Sequence, residues 1–371
     1  CVLIGALIIT LGHFTLAIPL EQTFILGLVF VALGTGLLKP NISSIVGQLY
    51  SQNDSRRDSG FTIFYMAINI GSMLGFAVCG WLGEKVGWHF GFGAAGVGML
   101  FGVTQFILFR HQLGEAGKYP NIVNEQTKTN YIRGVGLVVI LIASVVITGM
   151  AGFWFIDPVY FAERFRDFLV VISIIYFIYL LFFAGLTANE KKNVLMLLLL
   201  FIGAAAFWSG FDQSAGSLTI FARDHVNLTF GTFTAPVSWT QFVNPLFVVM
   251  FAPFFAYLWV FLGKRNLDPN MPIKFSIGLI LMAFGFIVMI LAVKYALVSS
   301  PVGVQWLLLT YLLHTFGELT LSPVGLSAFS KYSPKRYLGQ MMGIWFLASS
   351  LGGVLAGLLG GEATESGLES M

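Results

Sequence analysis

Apolar runs of membrane-spanning length recur along the whole chain, separated by short polar or charged loops. A transmembrane helix needs about 20 predominantly apolar residues. By this criterion we predict eleven helical spans, and no segment shows the short alternating pattern that is typical of a lipid-facing β-barrel. The predicted spans are 1–18, 22–50, 58–82, 90–110, 132–156, 168–187, 193–221, 238–262, 273–297, 301–329 and 338–360.

Composition supports the same class of protein. Of the 371 residues, 57% are hydrophobic and only 10% are charged, whereas a soluble domain has about 25% charged residues. We find no basic patch interleaved with exposed aromatics, so a nucleic-acid partner is not indicated. Cys1 and Cys79 both lie in apolar runs and indicate neither a disulfide framework nor a metal site. We therefore predict an all-α polytopic membrane protein that needs no metal or organic cofactor.

The placement of basic residues predicts the orientation of the chain. Of the 20 Lys and Arg residues, fourteen lie in one set of alternate loops, five lie in the other set, and Lys39 lies within a predicted helix. Loops rich in Lys and Arg face the cytoplasm. The chain is therefore expected to enter its first span from the cytoplasmic side.

A polar linker at 111–130 is the best internal boundary, with several tightly connected helices on each side. Two helical bundles joined in the cytoplasm are typical of transporters built from related halves around a central cavity. The chain opens at Cys1 inside an apolar run, without a Met or a signal-peptide pattern, and closes on a polar tail at 361–371. We expect a fragment that lacks helices at one or both ends.

Three charged residues inside predicted spans are candidates for function: Lys39, Asp212 and Glu318. A charge at the centre of a membrane helix costs about 2.5–3.5 kcal/mol on insertion scales, so each such residue is a functional hypothesis. The alternative for Lys39 is a lysine that snorkels to the interface. For the two carboxylates, the alternative is a structural ion pair within a bundle.

The signs of these charges suggest a zwitterionic substrate. Lys39 would bind a carboxylate and Glu318 would bind an ammonium group, with Asn69 and Asn244 bonding amide groups between them. Asp212 and Glu318 are the candidates for carrying a coupling proton. The asparagines could instead bond between helices, and the aromatics Tyr65, Trp208 and Trp345 could line the site or serve only in packing.

Several segments, in order along the chain, match one transporter family. FTIFYMAINIGS at 61–72 resembles the signature of the proton-dependent oligopeptide transporter family, a branch of the major facilitator superfamily. The other matching segments are GTGLLKPNISS at 34–44, DSRRDSGF at 54–61, FWSGFDQSAGSL at 207–218, QFVNPLFVVMFAPFFA at 241–256 and GELTLSPVGLS at 317–327.

This resemblance implies two six-helix bundles, with two extra helices between them in bacterial members. The chain would then divide into an N-terminal bundle at 1–110, a linker with the two extra helices at 111–192, and a C-terminal bundle with the polar tail at 193–371. The first four spans would be core helices three to six and the last five would be seven to eleven. Core helices one, two and twelve would be missing.

The resemblance also implies a peptide site. Lys39 would bind the peptide carboxylate and take part in coupling, Glu318 would bind the amino terminus, and Asp212 would join gating ion pairs. The family's Glu-x-x-Glu-Arg-aromatic motif is not found, and YFAERF at 160–165, in a predicted external loop, is taken as coincidence. The other implied peptide-binding residues are Tyr65, Asn69, Trp208, Asn244, Ser322 and Trp345.

The leading prediction is a proton-coupled symporter of di- and tripeptides in the bacterial inner membrane, working by alternating access. A transporter of the same fold that moves nitrate, drug-like compounds or peptidomimetics is the alternative. An intramembrane enzyme is disfavoured because no HExxH, no GxSxG and no metal-like Cys/His spacing is present. A purely structural or receptor protein would leave the three intramembrane charges unexplained. Protons and the lipid bilayer complete the expected partners.

Overall fold

The computed structural model describes residues 2–49, 57–117, 129–130, 133–134, 136–137, 141, 144, 148 and 157–369. Helices dominate the described chain. Those given bounds here are α1 (Val2–Leu16), α2 (Glu21–Gln48), α3 (Arg57–Gly75), α4 (Trp81–Lys85), α5 (Trp88–Phe109), α6 (Pro158–Ile178), α7 (Ala188–Phe211), α8 (Ser217–His225), α9 (Val243–Lys264), α10 (Met271–Ala296), α11 (Gln305–Tyr332) and α12 (Leu338–Glu369).

Eight described segments are long and apolar enough to cross a membrane. Of the other three predicted spans, 1–18 forms the shorter helix α1, and 132–156 falls largely outside the described residues. The span 301–329 forms α11, which is not among the eight because polar side chains are interspersed along it. Most of those side chains are buried in protein, which is where a membrane protein tolerates them.

Several helix boundaries differ from the predicted ones. The span 193–221 is interrupted, because α7 ends at Phe211 and a 3₁₀ turn over Asp212–Ser214 precedes α8. Asp, Ser and Gly are weak helix formers, and they crowd this stretch. The predicted loop that holds YFAERF is helical, since α6 begins at Pro158, a residue favoured at a first helical position.

The last two helices also run further than predicted. The polar tail continues α12 to Glu369 rather than forming a separate segment, and its Glu, Ala and Leu residues favour helix. Pro323 does not end α11, which continues to Tyr332.

The remaining elements given bounds are two π-helical turns, four very short strands and three further 3₁₀ turns, at Arg110–Leu113, Val237–Phe242 and Lys335–Tyr337. The π-helical turns, Phe76–Gly80 and Tyr179–Phe183, follow α3 and α6. The strands belong to connecting segments and form two small ladders. Strand β1 (Val226–Asn227) pairs in parallel with β4 (Val302–Gly303), and β2 (Thr229–Phe230) pairs antiparallel with β3 (Phe233–Thr234).

The described chain divides into two compact units. The first comprises Cys1–Tyr65 and Val78–Pro158, and the second comprises Met66–Ala77 and Val159–Met371. The division into 1–110, 111–192 and 193–371 stays a prediction.

In the first unit, α1 and α2 pack backbone to backbone through glycines. A Cβ on Gly5 would lie 2.7 Å from the carbonyl oxygen of Gly34, and a Cβ on Gly12 would lie 3.0 Å from that of Gly27. Small residues allow this close approach between membrane helices. The antiparallel register of the α1–α2 hairpin is therefore fixed at two levels.

In the second unit, α10 and α11 use the same device. A Cβ on Gly317 would lie 2.8 Å from the carbonyl oxygen of Gly278, and a Cβ on Gly285 would lie 2.4 Å from the ring of His314. His314 is 1% exposed, and its ring also contacts that of Phe286 in a tilted arrangement, with 5.1 Å between the ring centroids. It is thus a helix-packing residue.

The helix α6 and the start of α12 are joined within the second unit. The Tyr176 hydroxyl donates to Oε1 of Gln340 at 3.1 Å, and a guanidinium Nη2 of Arg336 donates to the carbonyl oxygen of Gly185 at 3.0 Å and to that of Ala184. These contacts satisfy carbonyl groups at the end of the π-helical turn, where intrahelical partners run out.

Candidate functional site

The second unit holds a hydrogen-bonded group of three polar side chains on α9 and α11. One amide group, Nδ2 of Asn244, lies 3.0 Å from Oε2 of Glu318 and 2.9 Å from Oγ1 of Thr315. Glu318 is 5% exposed and Thr315 is fully buried. A carboxylate in this setting is a strong hydrogen-bond acceptor and attracts a cation, because buried charge is screened little by solvent.

The local sequence explains how Glu318 comes to face α9. Gly317 packs against α10 with no space for a side chain. The next residue points about 100° further round the helix, so Glu318 emerges beside this contact and toward Asn244, the second residue of α9. Thr315 and Glu318, three residues apart, share one face of α11.

Ser322 lies one turn after Glu318 on α11. Its side chain is buried, at 8% exposure, and its hydroxyl has no hydrogen-bond partner among the residues that the structure describes. Buried polar groups are usually paired. The hydroxyl is thus available to a ligand, and a role for Ser322 in peptide binding stays a prediction.

Trp208 and Asp212 lie at the end of α7 and just after it. Trp208 is half-buried against Phe207 and Phe211, and within the described chain its Nε1 has no hydrogen-bond partner. Asp212 is half-buried and opens the 3₁₀ turn rather than continuing the helix. In the described part of the chain no ion pair of Asp212 is formed, so its part in gating stays a prediction.

Trp345 lies in the main hydrophobic core of the second unit. Its ring packs against Phe275 and Phe329, and its side chain fills the space over Gly325. Only 6% of Trp345 is exposed. The structure thus shows a packing role, and peptide contact by this residue stays a prediction.

The N-terminal candidates lie on α2 and α3. Lys39 is exposed on α2, directly before Pro40, and belongs to the first unit. Asn69 is 7% exposed and belongs to the second unit, whereas Tyr65 is half-buried and belongs to the first. The roles of these three residues in substrate binding stay predictions.

Two glutamines form hydrogen bonds to other elements of the second unit. Nε2 of Gln213 donates to the carbonyl oxygen of Ala356 at 2.9 Å, and Nε2 of Gln241 lies 3.2 Å from Oγ1 of Thr219. Such hydrogen bonds hold membrane helices together. No cluster of three or more His, Cys, Asp or Glu residues that could hold a metal occurs among the described residues.

Thr315 is the site residue that sequence reasoning missed. Threonine is common in membrane helices and usually bonds to its own backbone, so it attracts no notice by itself. Its position three residues before Glu318, on the same face of the helix, was the available signal.

The sequence and the fold match known transporters. Residues 1–366 match the profile of the POT family. The chain is 44% identical over 356 residues to the Uncharacterized transporter YclF of Bacillus subtilis (strain 168), covering 93% of this chain and 69% of that protein. It is 36% identical over 362 residues to a Di-/tripeptide transporter of Lactococcus lactis subsp. cremoris, covering 94% of this chain and 71% of that one.

A solved structure supports the fold independently. The crystal structure of peptide transporter POT in complex with sulfate superimposes with a TM-score of 0.84 at 37% sequence identity, covering 97% of this chain and 73% of the other. The predicted all-helical transporter fold is thereby confirmed, as is a multi-pass integral membrane protein.

Proposed function

Since the chain belongs to the POT family, we propose that it imports di- and tripeptides in symport with protons, by alternating access. The family relation supports a membrane transporter as the class of protein, and we assign it no enzymatic activity. The proposal for the substrate comes from the chemistry of the buried side chains, together with the peptide-transporter names of relatives. Protons supply the driving force and no further cofactor is required.

The observation that carries the proposal is the contact between Asn244 and Glu318. A carboxylate that is buried in a membrane protein attracts a positively charged group, because buried charge is screened little by solvent. The amide donor of Asn244, at 3.0 Å, and the ammonium group of a peptide would both bind this carboxylate. Ser322, one turn further along α11, offers on the same helix a hydroxyl that has no hydrogen-bond partner among the described residues.

The opposite end of the peptide requires a cation, and Lys39 is our candidate. Its ammonium group is exposed on a helix of the first unit. A lysine among apolar residues is costly in a membrane, and a peptide carboxylate would offset that cost. Asp212 or Glu318 would carry the coupling proton. Tyr65, Asn69, Trp208 and Trp345 are proposed to contact the rest of the peptide.

An anionic or drug-like substrate is the second candidate, and the two charged ends distinguish it. A dipeptide needs both an acceptor for its ammonium group and a cation for its carboxylate. An anion such as nitrate needs only the cation. Substrates of both kinds should therefore be compared in one assay.

A proteoliposome assay tests the proposal. The purified protein is reconstituted and an inward proton gradient is imposed in the presence of a labelled dipeptide, with nitrate in a parallel series. We expect dipeptide to accumulate and a protonophore to abolish the accumulation. Accumulation that depends on neither the proton gradient nor the membrane potential would contradict proton symport. Accumulation of nitrate but of no peptide would contradict the proposed peptide substrate.

A further inference from the structure

We infer that Thr315 is a positioning residue that orients the side-chain amide of Asn244, so that its NH₂ group faces Glu318 and its carbonyl oxygen Oδ1 is left for the substrate. This inference deepens the proposed function and rests on it, because the orientation matters for binding the ammonium group of a peptide. Thr315 would touch neither peptide nor proton and would act through Asn244.

The hydrogen bonds of the Thr315 hydroxyl determine which group of the Asn244 amide faces it. A threonine hydroxyl carries one hydrogen and can accept through its oxygen. That hydrogen is donated to the carbonyl oxygen of Tyr311, at 2.7 Å. Toward Asn244, 2.9 Å away, Oγ1 can therefore act only as an acceptor. The group that Asn244 presents to Thr315 must be NH₂.

The two hydrogens of that NH₂ group both have acceptors. One points to Oγ1 of Thr315 and the other to Oε2 of Glu318, 3.0 Å away. If the amide were flipped, its carbonyl oxygen would face two acceptors, one of them a carboxylate. Both partners therefore oppose the flip. Thr315, which is fully buried, helps to keep the amide in the unflipped orientation.

This orientation of the amide leaves its carbonyl oxygen for a ligand. With both amide hydrogens used, Oδ1 of Asn244 is the acceptor that the amide has left, and it takes part in no hydrogen bond within the part of the chain that the structure describes. An ammonium group has three hydrogens to donate, and the Glu318 carboxylate and Oδ1 of Asn244 together offer it acceptors of two kinds. Without the Thr315 oxygen the amide keeps one of its two holding contacts, so that it rotates more freely and the acceptor pair is less well formed.

Thr310 provides a matched control on the same helix. It is also fully buried, and its hydroxyl also donates to the carbonyl oxygen four residues earlier, that of Trp306, at 2.9 Å. The hydroxyl makes a longer contact, 3.4 Å, with the carbonyl oxygen of Gly285. Thr310 accepts no hydrogen bond from Asn244, so Thr310→Val removes a similar hydroxyl without affecting the contact between Thr315 and Asn244.

The test measures dipeptide KM and maximal uptake rate in proteoliposomes for Thr315→Val, Thr315→Ser and Thr310→Val. Loss of one hydrogen bond to an amide that supports a charged group is worth about a tenfold change in KM. We expect Thr315→Val to raise KM about tenfold with the maximal rate changed less than about twofold. Thr315→Ser should restore KM, and Thr310→Val should leave it near the wild-type value.

A double-mutant cycle separates positioning from a general packing effect. In an Asn244→Ala background, Thr315→Val should cause no further rise in KM, because the amide to be oriented is gone. An equal rise in both backgrounds, an unchanged KM in Thr315→Val, or a Thr315→Ser variant as poor as Thr315→Val would each overturn the inference.

The same experiment distinguishes a failure of the proposed function from a failure of the role assigned to Thr315. A wild-type protein that takes up no peptide contradicts the proposed function, whereas an active wild type with an unaffected Thr315→Val variant contradicts the inference alone. If Thr315→Val is not recovered in folded form, Thr315→Ala removes the same acceptor without adding a methyl group, and the same outcomes apply.

Discussion

The α1–α2 hairpin of the first unit and the α10–α11 hairpin of the second are built on the same contact. In each hairpin, a glycine on one helix meets a glycine on the next so closely that a Cβ would lie within 3.0 Å of a carbonyl oxygen. The first pair is Gly5 and Gly34, and the second is Gly278 and Gly317. Each hairpin also carries an ionisable residue soon after its second glycine.

The hairpins differ in what surrounds that ionisable residue. Glu318 follows Gly317 directly, is buried, and is held by Asn244 from a third helix. Lys39 comes five residues after Gly34 and is exposed, and among the described residues it forms no ion pair. Close helix packing therefore fixes the backbone near a charge, but a third helix is needed to orient the charged group itself.

Removing the charge of Glu318 should give the largest effect. Glu318→Gln keeps the size of the side chain but removes the anion that we assign to the peptide ammonium group. We expect dipeptide uptake to fall at least about 30-fold, corresponding to about 2 kcal/mol or more for a buried charge contact. Uptake of an N-acetylated dipeptide measures the baseline.

The acetylated peptide is also the control for that prediction. In the wild type it should be transported poorly, and in Glu318→Gln the two peptides should become equivalent. A Glu318→Gln protein that still prefers the free amine would show that the amino terminus binds elsewhere.

Removing the charge of Lys39 should give a smaller effect, because its side chain is exposed and solvent screens its charge more than it screens a buried charge. For Lys39→Gln we expect about a tenfold loss of dipeptide affinity, in the range of a hydrogen bond to a charged group. The matched measurement uses a C-terminally amidated dipeptide in competition assays.

The amidated peptide tells which end Lys39 binds. The wild type should discriminate against it, whereas Lys39→Gln should treat free and amidated peptides alike. Unchanged discrimination in Lys39→Gln would remove this lysine from the site and favour an interfacial lysine. Lys85→Gln, a change in an exposed lysine of α4, serves as the control.

Two glycines of α2 test the structural half of the comparison. A Cβ on Gly34 would lie 2.6 Å from the carbonyl oxygen of Gly5, whereas a Cβ on Gly36 meets nothing within 4 Å in the described chain. Gly34→Ala should destabilise the protein by about 1–3 kcal/mol through overpacking. Gly36→Ala should be neutral or stabilise it by up to about 1 kcal/mol, because alanine favours helix.

Thermal unfolding of both variants in detergent measures this pair. Gly34→Ala should lower Tm, whereas Gly36→Ala should leave Tm unchanged or raise it, although the two substitutions are identical and lie only two residues apart. Equal shifts in Tm for Gly34→Ala and Gly36→Ala would mean that the α1–α2 contact does not contribute to stability.

The sequence predicted the helical membrane fold because apolar runs and loop charges are properties of composition and order alone. It also singled out Asn244 and Glu318 as candidates, through a costly carboxylate and a resemblance that places both residues, and the structure brings these two side chains into contact. It did not predict that Asp212 starts a 3₁₀ turn or that α6 starts at Pro158, because helix ends depend on single residues and their partners.

Other features depend on three-dimensional packing and could not be read from the pattern. Trp345 looks the same in a sequence whether it lines a cavity or fills a core, and only its contacts with Phe275 and Phe329 show the second. Thr315 became visible only when the direction of its single hydroxyl hydrogen was traced.

The contact between Gly278 and Gly317 has a mechanical consequence. Two helices whose backbones touch cannot slide past each other by one residue without forcing a side chain into the contact. We therefore expect α10 and α11 to move together as one rigid unit. Any displacement of Glu318 during a transport cycle is then expected to move α10 as well, including Lys294, which is exposed near the end of that helix. A dye attached at Lys294→Cys would then report the movement of the buried carboxylate from an exposed position.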